Sequence, residues 1–305
     1  MSNLEKMIAL AGVLLLIPMG CLASPNPGES NSELTIFAAA SLTEAFQEIG
    51  AAFEEGNPGV LVSFNFAGSQ RLRTQLEQGA QADVFASADW EQMNAVVKSD
   101  LVSGEPVNFA SNRLVALVSA ITLQDPSNPL LGGEGQPNST TEEALRLEDL
   151  ARPGVRLVLA LPEVPAGSYS REVIEKMRAD PAFGPDYANG VLANVVSEET
   201  SVRNVVQKVA LGEADAGIAY QTDAMPPEIA QQVQVIPIPE PFDVTASYPI
   251  APLERAAQPE LAREFINFVR SDQGQEILGQ HGFGPPPDGR RTDDGGQRAV
   301  LRSSK

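Results

Sequence analysis

The chain has 305 residues, 43% of them apolar and 20% charged, enough for a good core and for two domains of ordinary size. Its formal net charge of −19 makes nucleic acid and anionic membrane surfaces poor partners. The acidic residues are dispersed, so they read as a solvated surface, and an anionic ligand would need a local, shielded site.

The first element in chain order is "MIALAGVLLLIPMGC", Met7 to Cys21, an apolar run ending in small residues and too short for a comfortable membrane span. Residues 1–20 are read as a signal peptide. Cys21 is the only cysteine, so no intramolecular disulfide can form. Its place after the apolar run and Gly20 resembles a bacterial lipoprotein processing site, although Pro18 stands where that motif usually has leucine. Lipidation at Cys21 would put the protein outside the cytoplasm, on the cell surface or in the periplasm, anchored to the membrane. Residues 21–32 would then form a flexible tether.

From Leu34 onward short β-like runs alternate with helical ones, the signature of an α/β fold. "ELTIF" predicts a strand. The helix after it carries Leu42, Ala45, Phe46, Ile49 and Phe53 on one face and stops at "GNPG". Ser41 and Glu44 at its start fit a capping box. Alternatively, the small residues there clear a space in front of helix-end amides for something anionic. "VLVSFNF" predicts a second strand, followed by Gly68-Ser69 and a helix bearing Leu72 and Leu76. "DVFASAD" predicts a third strand, "WEQMNAVVKSD" a third helix and "NRLVALVSA" a fourth strand.

Residues 121–141, rich in proline and glycine, read as a loop or insertion. Alternation resumes with the strand "GVRLVLAL", the turn "PEVPAGS" and a helix through Lys176. "TSVRNVVQKVALGEADAGIAY" predicts a helix running into a strand that ends at Tyr220. "VTASYPIAPL" is one more strand, two helices follow up to Gly282, and residues 285–305 read as a disordered tail.

The chemical inventory excludes much. The single histidine, His281, reads as a cap or surface residue. Thiol catalysis and Cys/His metal sites lack their residues. The chain has no nucleophile elbow, phosphate loop or dinucleotide fingerprint. With 40 acidic residues an acid/base pair stays open, but no spacing singles one out, and no enzyme, no cofactor and no direct metal-cation site is expected. What stands out is one repeated arrangement. Ser41 and Ser69 each follow a strand and open a helix, Ala166 lies in "VPAGSY" after a strand, and Val202 lies in the first turn of a helix. Helix ends offer free amides and a partial positive charge, and ligands of open α/β sheets sit beyond the carboxyl ends of strands. Converging ends of this kind would bind an anion without a lysine or arginine. Taken alone, a serine opening a helix is more often a cap and a valine there is more often core, and Glu198 and Glu199 look like dipole partners that would already occupy the Val202 helix end.

The segments "TIFAAASLTEAF", "FAGSQRLRTQLEQGAQADVFASAD", "PEVPAGSYSREVI", "EETSVRNVVQKVALGEADAGIAYQTDA" and "ASYPIA", in this order, closely resemble the molybdate-binding proteins (ModA type) of bacterial ABC transporters, from Leu34 to about Gly284. The resemblance implies an α/β, two-lobed periplasmic-binding-protein-like fold of type II with its ligand in the interlobe cleft. One lobe would be 33–114 plus 246–284 and the other 115–245. It implies a monomeric solute-binding protein that captures molybdate, with tungstate as a near-equal ligand, and delivers it to an ABC permease. The family's oxyanion-binding positions carry over to Ser41, Ser69, Ala166, Val202 and Tyr220, with Ala166 and Val202 acting through their amides. Gln70 departs from the pattern, since related sequences often carry a further serine there. A receptor for sulfate or another tetrahedral oxyanion is the nearest alternative. An extracytoplasmic hydrolase and a purely adhesive lipoprotein are the more distant ones.

Overall fold

Uninterrupted apolar runs in this chain become strands covered on both faces, and the periodic ones become the helices that cover them. The computed structural model describes residues 32–131, 146–184 and 186–287. The expected signal peptide, Cys21, almost all of the tether, the latter part of the 121–141 segment and most of the expected tail lie outside the described residues. The described part of the chain begins with β1 (Ser32–Ala39), α1 (Thr43–Gly56), β2 (Val60–Ala67), α2 (Ser69–Glu77), β3 (Val84–Ala86), α3 (Trp90–Lys98) and β4 (Val107–Asn112). It then moves to a second sheet through β5 (Leu114–Ser119), β6 (Leu157–Ala160), α4 (Pro165–Arg178), α5 (Tyr187–Ala193), β7 (Val195–Glu199), α6 (Val202–Ala210), β8 (Ala216–Tyr220), α7 (Pro227–Ala230) and β9 (Val233–Pro237). It returns to the first sheet with β10 (Ala246–Pro252) and ends in α8 (Pro259–Val269) and α9 (Asp272–Gln280).

Each sheet has five strands, in the orders β2-β1-β3-β10-β4 and β7-β6-β8-β5-β9. In the first, β1 runs parallel to β2 and β3, and β10 runs antiparallel to β3 and β4. In the second, β6 is parallel to β7 and β8, and β5 is antiparallel to β8 and β9. Parallel strands need cover on both faces, and Leu34, Ile36, Phe37 and Ala38 of β1 are all buried. The stripe foreseen for α1 is buried as expected, with Phe46 and Phe53 packed edge-on against Phe265 of α8. This burial, rather than helix propensity, holds α1 in place.

Three strands escaped the sequence reading: β4, β7 and β9. β4 is "VNFASN" and β7 is "VVSEE", whose polar residues break the apolar run. β9, "VQVIP", ends in a proline of a proline-rich stretch. The third strand is shorter than "DVFASAD" suggests. Asp83, just before it, keeps backbone hydrogen bonds to Thr35 and Leu253, and its carboxylate accepts the Thr35 and Gln258 amides at 2.8 Å each. Among the described residues no helix is long and apolar enough to cross a membrane.

Candidate functional site

The carboxyl ends of strands from both sheets meet at one small cavity. β1 ends at Ala39, and beyond it lie Ala40 and Ser41; beyond β2 lie Gly68 and Ser69; beyond β3 lies Ala88. The second sheet contributes Val164, Pro165 and Ala166 after β6, Val202 opening α6, and Tyr220 at the end of β8. The structure thus brings together all five positions that the sequence singled out. Even counting its mouth, the cavity holds only about 220 Å³, below the ~300–1,000 Å³ of pockets that take drug-sized molecules. Its walls carry hydroxyls, amides and methyl groups, and no lysine, arginine or carboxylate. Among the described residues, no cluster of His, Cys, Asp or Glu is placed to hold a metal ion.

Local sequence explains how each donor is presented. A 3-10 turn over Ala40–Leu42 precedes α1, which starts at Thr43 with no side-chain cap. Ser41 therefore does not cap the helix, and the capping box expected from the sequence is absent. Its hydroxyl instead lies 2.9 Å from the Tyr248 hydroxyl of β10, while Glu44 turns to Arg203. Ser69 opens α2, and its Oγ accepts the Ala88 amide at 3.0 Å. Pro165 and Ala166 form the first turn of α4, where amides have no carbonyl of their own helix to meet. Gly167 permits the tight entry into α4, because a Cβ there would stand 2.0 Å from the Leu161 carbonyl oxygen.

Val202 begins α6, with Ser201 as its cap, accepting the Asn204 amide at 3.4 Å. The two glutamates expected to occupy that helix end do not. Glu198 pairs with Arg171 and Glu199 with Lys208, which leaves the positive end of α6 to the cavity. Tyr220 is 1% exposed, and its hydroxyl, beside that of Tyr248, makes no well-formed hydrogen bond. An unmade bond of this kind costs about 1–3 kcal/mol. Burial first, then the neighbouring Tyr248, Tyr169 and acidic groups, keep its proton firmly on.

Contacts across the cleft ring the cavity. Arg203 of α6 donates to the Ala40 carbonyl at 3.3 Å and pairs with Glu44 of α1. Gln70 of α2 donates to the Thr200 carbonyl at 2.9 Å, and Gln92 of α3 donates to the Glu163 carbonyl at 3.2 Å. Gln70, the departure from the family pattern, therefore faces the opposite wall of the cleft and is not part of the cavity lining. Arg203, the cation that reaches the Ala40 carbonyl at the cavity wall, is neutralised by Glu44. Burial alone would raise the Glu44 carboxyl, but Arg203 outweighs it and holds that carboxyl below its ordinary range. A wider groove beside Ser41 carries Glu44, Glu228 and His281, a charge set that repels anions. His281 ends α9 and pairs with Glu48 at 2.8 Å, in keeping with the cap or surface role expected of it.

Sequence reasoning missed two features of the site's surroundings. Asp223, 3% exposed, accepts the Tyr220 amide at 3.3 Å, and burial pushes its carboxyl up to about 7 against the pull of Arg203. Tyr248 and Asn112 stand behind Ser41, with the Asn112 amide nitrogen 3.5 Å from the Tyr248 hydroxyl. A tyrosine on an apolar strand signals either core or site, and the sequence alone does not separate them.

Two α/β lobes with a small uncharged cavity between the ends of their strands define a two-lobed solute-binding fold of the type II periplasmic kind. The family model described as bacterial extracellular solute-binding protein matches residues 34–284, and the chain belongs to that family. It is 40% identical over 286 residues to the molybdate-binding protein ModA of Mycobacterium tuberculosis (strain ATCC 25618 / H37Rv), covering 93% of this chain and 97% of that one. The fold is shared with the periplasmic molybdate-binding protein of Azotobacter vinelandii, with a TM-score of 0.64, 18% identity, and 83% of this chain and 100% of that one covered. It is shared equally with the sulfate-binding protein SubI of Mycobacterium tuberculosis H37Rv, with a TM-score of 0.66, 20% identity, and 83% and 87% covered. The resemblance to molybdate-binding proteins read from the sequence is borne out.

Proposed function

We propose that this protein captures molybdate, and tungstate with it, outside the cytoplasm and delivers it to an ABC permease. The observation that carries this reading is the fully buried Tyr220 hydroxyl, with no well-formed hydrogen bond, in the wall of a cavity that offers neutral donors. In the proposed complex the Ser41, Ser69 and Tyr220 hydroxyls and the Ala166 and Val202 amides hold the oxyanion. Neutral donors are strong in a closed, water-poor site. They also avoid burying an unpaired charge when the site is empty. The two lobes, 33–114 plus 246–284 and 115–245, close on the ligand, which favours the closed state by its differential affinity for it. Lipidation of Cys21 would keep a monomeric receptor near its permease. No catalytic role is assigned to any residue of the cavity.

A donor-lined site suits dianions that carry no proton. Phosphate brings an O–H that needs an acceptor, at a cost of about 1–3 kcal/mol when none is present. Molybdate and sulfate offer the same acceptors, so cavity size must separate them. Thermal unfolding of the soluble part with molybdate, tungstate, sulfate and phosphate tests the assignment. At a hundred-fold excess over its dissociation constant, molybdate should stabilise by about 2.7 kcal/mol. A response to sulfate alone would keep the architecture and change the substrate. No response to any of the four would sink the receptor reading.

A further inference from the structure

We infer that the receptor binds a proton together with its oxyanion, and that Asp223, buried next to Tyr220, is the group that takes the proton up. The inference rests on the oxyanion-receptor reading and adds a second, linked ligand to it.

The fold brings one carboxyl to the cavity wall without exposing it there. β8 ends at Tyr220, and a 3-10 turn over Gln221–Ala224 follows. The turn folds Asp223 back, so that its Oδ2 accepts the Tyr220 amide at 3.3 Å. Asp223 is buried and does not itself line the cavity, but the residue it holds does. Titratable groups face this corner from several elements. Burial keeps Tyr220 of β8 and Tyr248 of β10 protonated, and both feel the Asp223 charge. Tyr169 of α4 and Asp89, the cap of α3, act on Tyr220. Arg203 of α6 attracts the Asp223 carboxylate and Glu44 of α1 repels it, while Glu228 of α7 acts on Arg203. Arg203 itself is bonded to Glu44 and to the Ala40 carbonyl. It therefore acts on Asp223 only through space.

Two consequences of capture push Asp223 the same way. The oxyanion brings negative charge to the Tyr220 hydroxyl, and a nearby like charge disfavours an ionised carboxyl. Closure also brings Glu44, on the first sheet's side, onto Arg203, which lies with Asp223 on the second sheet's side. That pairing cancels the positive charge favouring ionised Asp223 and adds a negative one. Burial already pushes the carboxyl up to about 7, so the neutral-pH protein sits where a small push moves a proton. The sign follows by linkage. Affinity for the anion is highest below about pH 7, where Asp223 already carries its proton, and falls as pH rises above that value.

Calorimetric titration with molybdate near pH 7, in buffers of different ionisation heat, counts the protons directly. The wild type should take up about half a proton per anion, and Asp223→Asn none. Between about pH 6 and pH 8.5 the wild-type affinity should weaken roughly five- to thirty-fold, whereas that of Asp223→Asn should stay level. His281→Gln is the control, since His281 stands in the groove beside Ser41, and it should keep the uptake. No uptake by the wild type, uptake unchanged in Asp223→Asn, or uptake lost in His281→Gln would each overturn the inference. The wild-type count needs no variant, so it decides even if Asp223→Asn folds poorly. A wild type that binds neither molybdate, tungstate nor sulfate would overturn the receptor reading instead.

Discussion

Tyr220→Phe should weaken molybdate binding roughly ten- to hundred-fold and leave the empty protein at least as stable as the wild type. The two effects have opposite signs for one reason. The Tyr220 hydroxyl is buried without a well-formed hydrogen bond, so the empty protein bears most of its desolvation uncompensated. Removing it deletes a hydrogen bond to a charged ligand, worth about 1.5–3 kcal/mol, and also relieves a cost of about 1–3 kcal/mol in the apo state. Calorimetric titration and denaturant unfolding read the two quantities separately. A structural tyrosine predicts a different pattern, with lost stability and unaltered affinity. That result would remove Tyr220 from the ligand set.

Asp223 sets the second large effect, which is on stability against pH. Its folded-state carboxyl titrates at about 7 because of burial, whereas an unfolded aspartate titrates near 3.9. Between those values the folded protein holds a proton that the unfolded chain has released, so stability falls as pH rises across the window. The shift corresponds to a contribution on the order of 4 kcal/mol, fully present below about pH 4 and lost above about pH 7. Glu44 works in the other direction and at lower pH. Its carboxyl is held below the ordinary range with Arg203, so its contribution is present above about pH 4 and fades in acid. Unfolding free energies of wild type and Asp223→Asn should diverge from about pH 4 to 7, with the wild type losing ground. Parallel curves would mean that Asp223 does not titrate in that interval.

The fold was legible where burial is simple. Leu42, Phe46, Ile49 and Phe53 announce α1 by their spacing, and "RLVLAL" announces β6 by its lack of polar interruption. It was less legible where a strand shares its faces with polar neighbours, as in β4 and β7. The cavity was legible as a set of strand-to-helix junctions rich in small residues. Their convergence is a property of topology, which no single junction carries. What lay hidden were contacts between distant parts of the chain. Ser41 and Glu44 satisfy a local capping pattern, yet each spends its side chain on a residue far away, Tyr248 and Arg203. Glu198 and Glu199 satisfy a local helix-end pattern and are likewise drawn off, by Arg171 and Lys208. Local rules count available partners in sequence, whereas the folded chain offers competitors in space.

The most direct test of the central claim is to locate molybdenum by its anomalous scattering in crystals of the protein grown with molybdate. The account predicts one peak in the cavity between Ser41, Ser69 and Tyr220, with oxygens within hydrogen-bond distance of those hydroxyls and of the Ala166 and Val202 amides. A peak confined to the open groove at Glu44 and His281, or no peak in a cavity that remains closed, would contradict it.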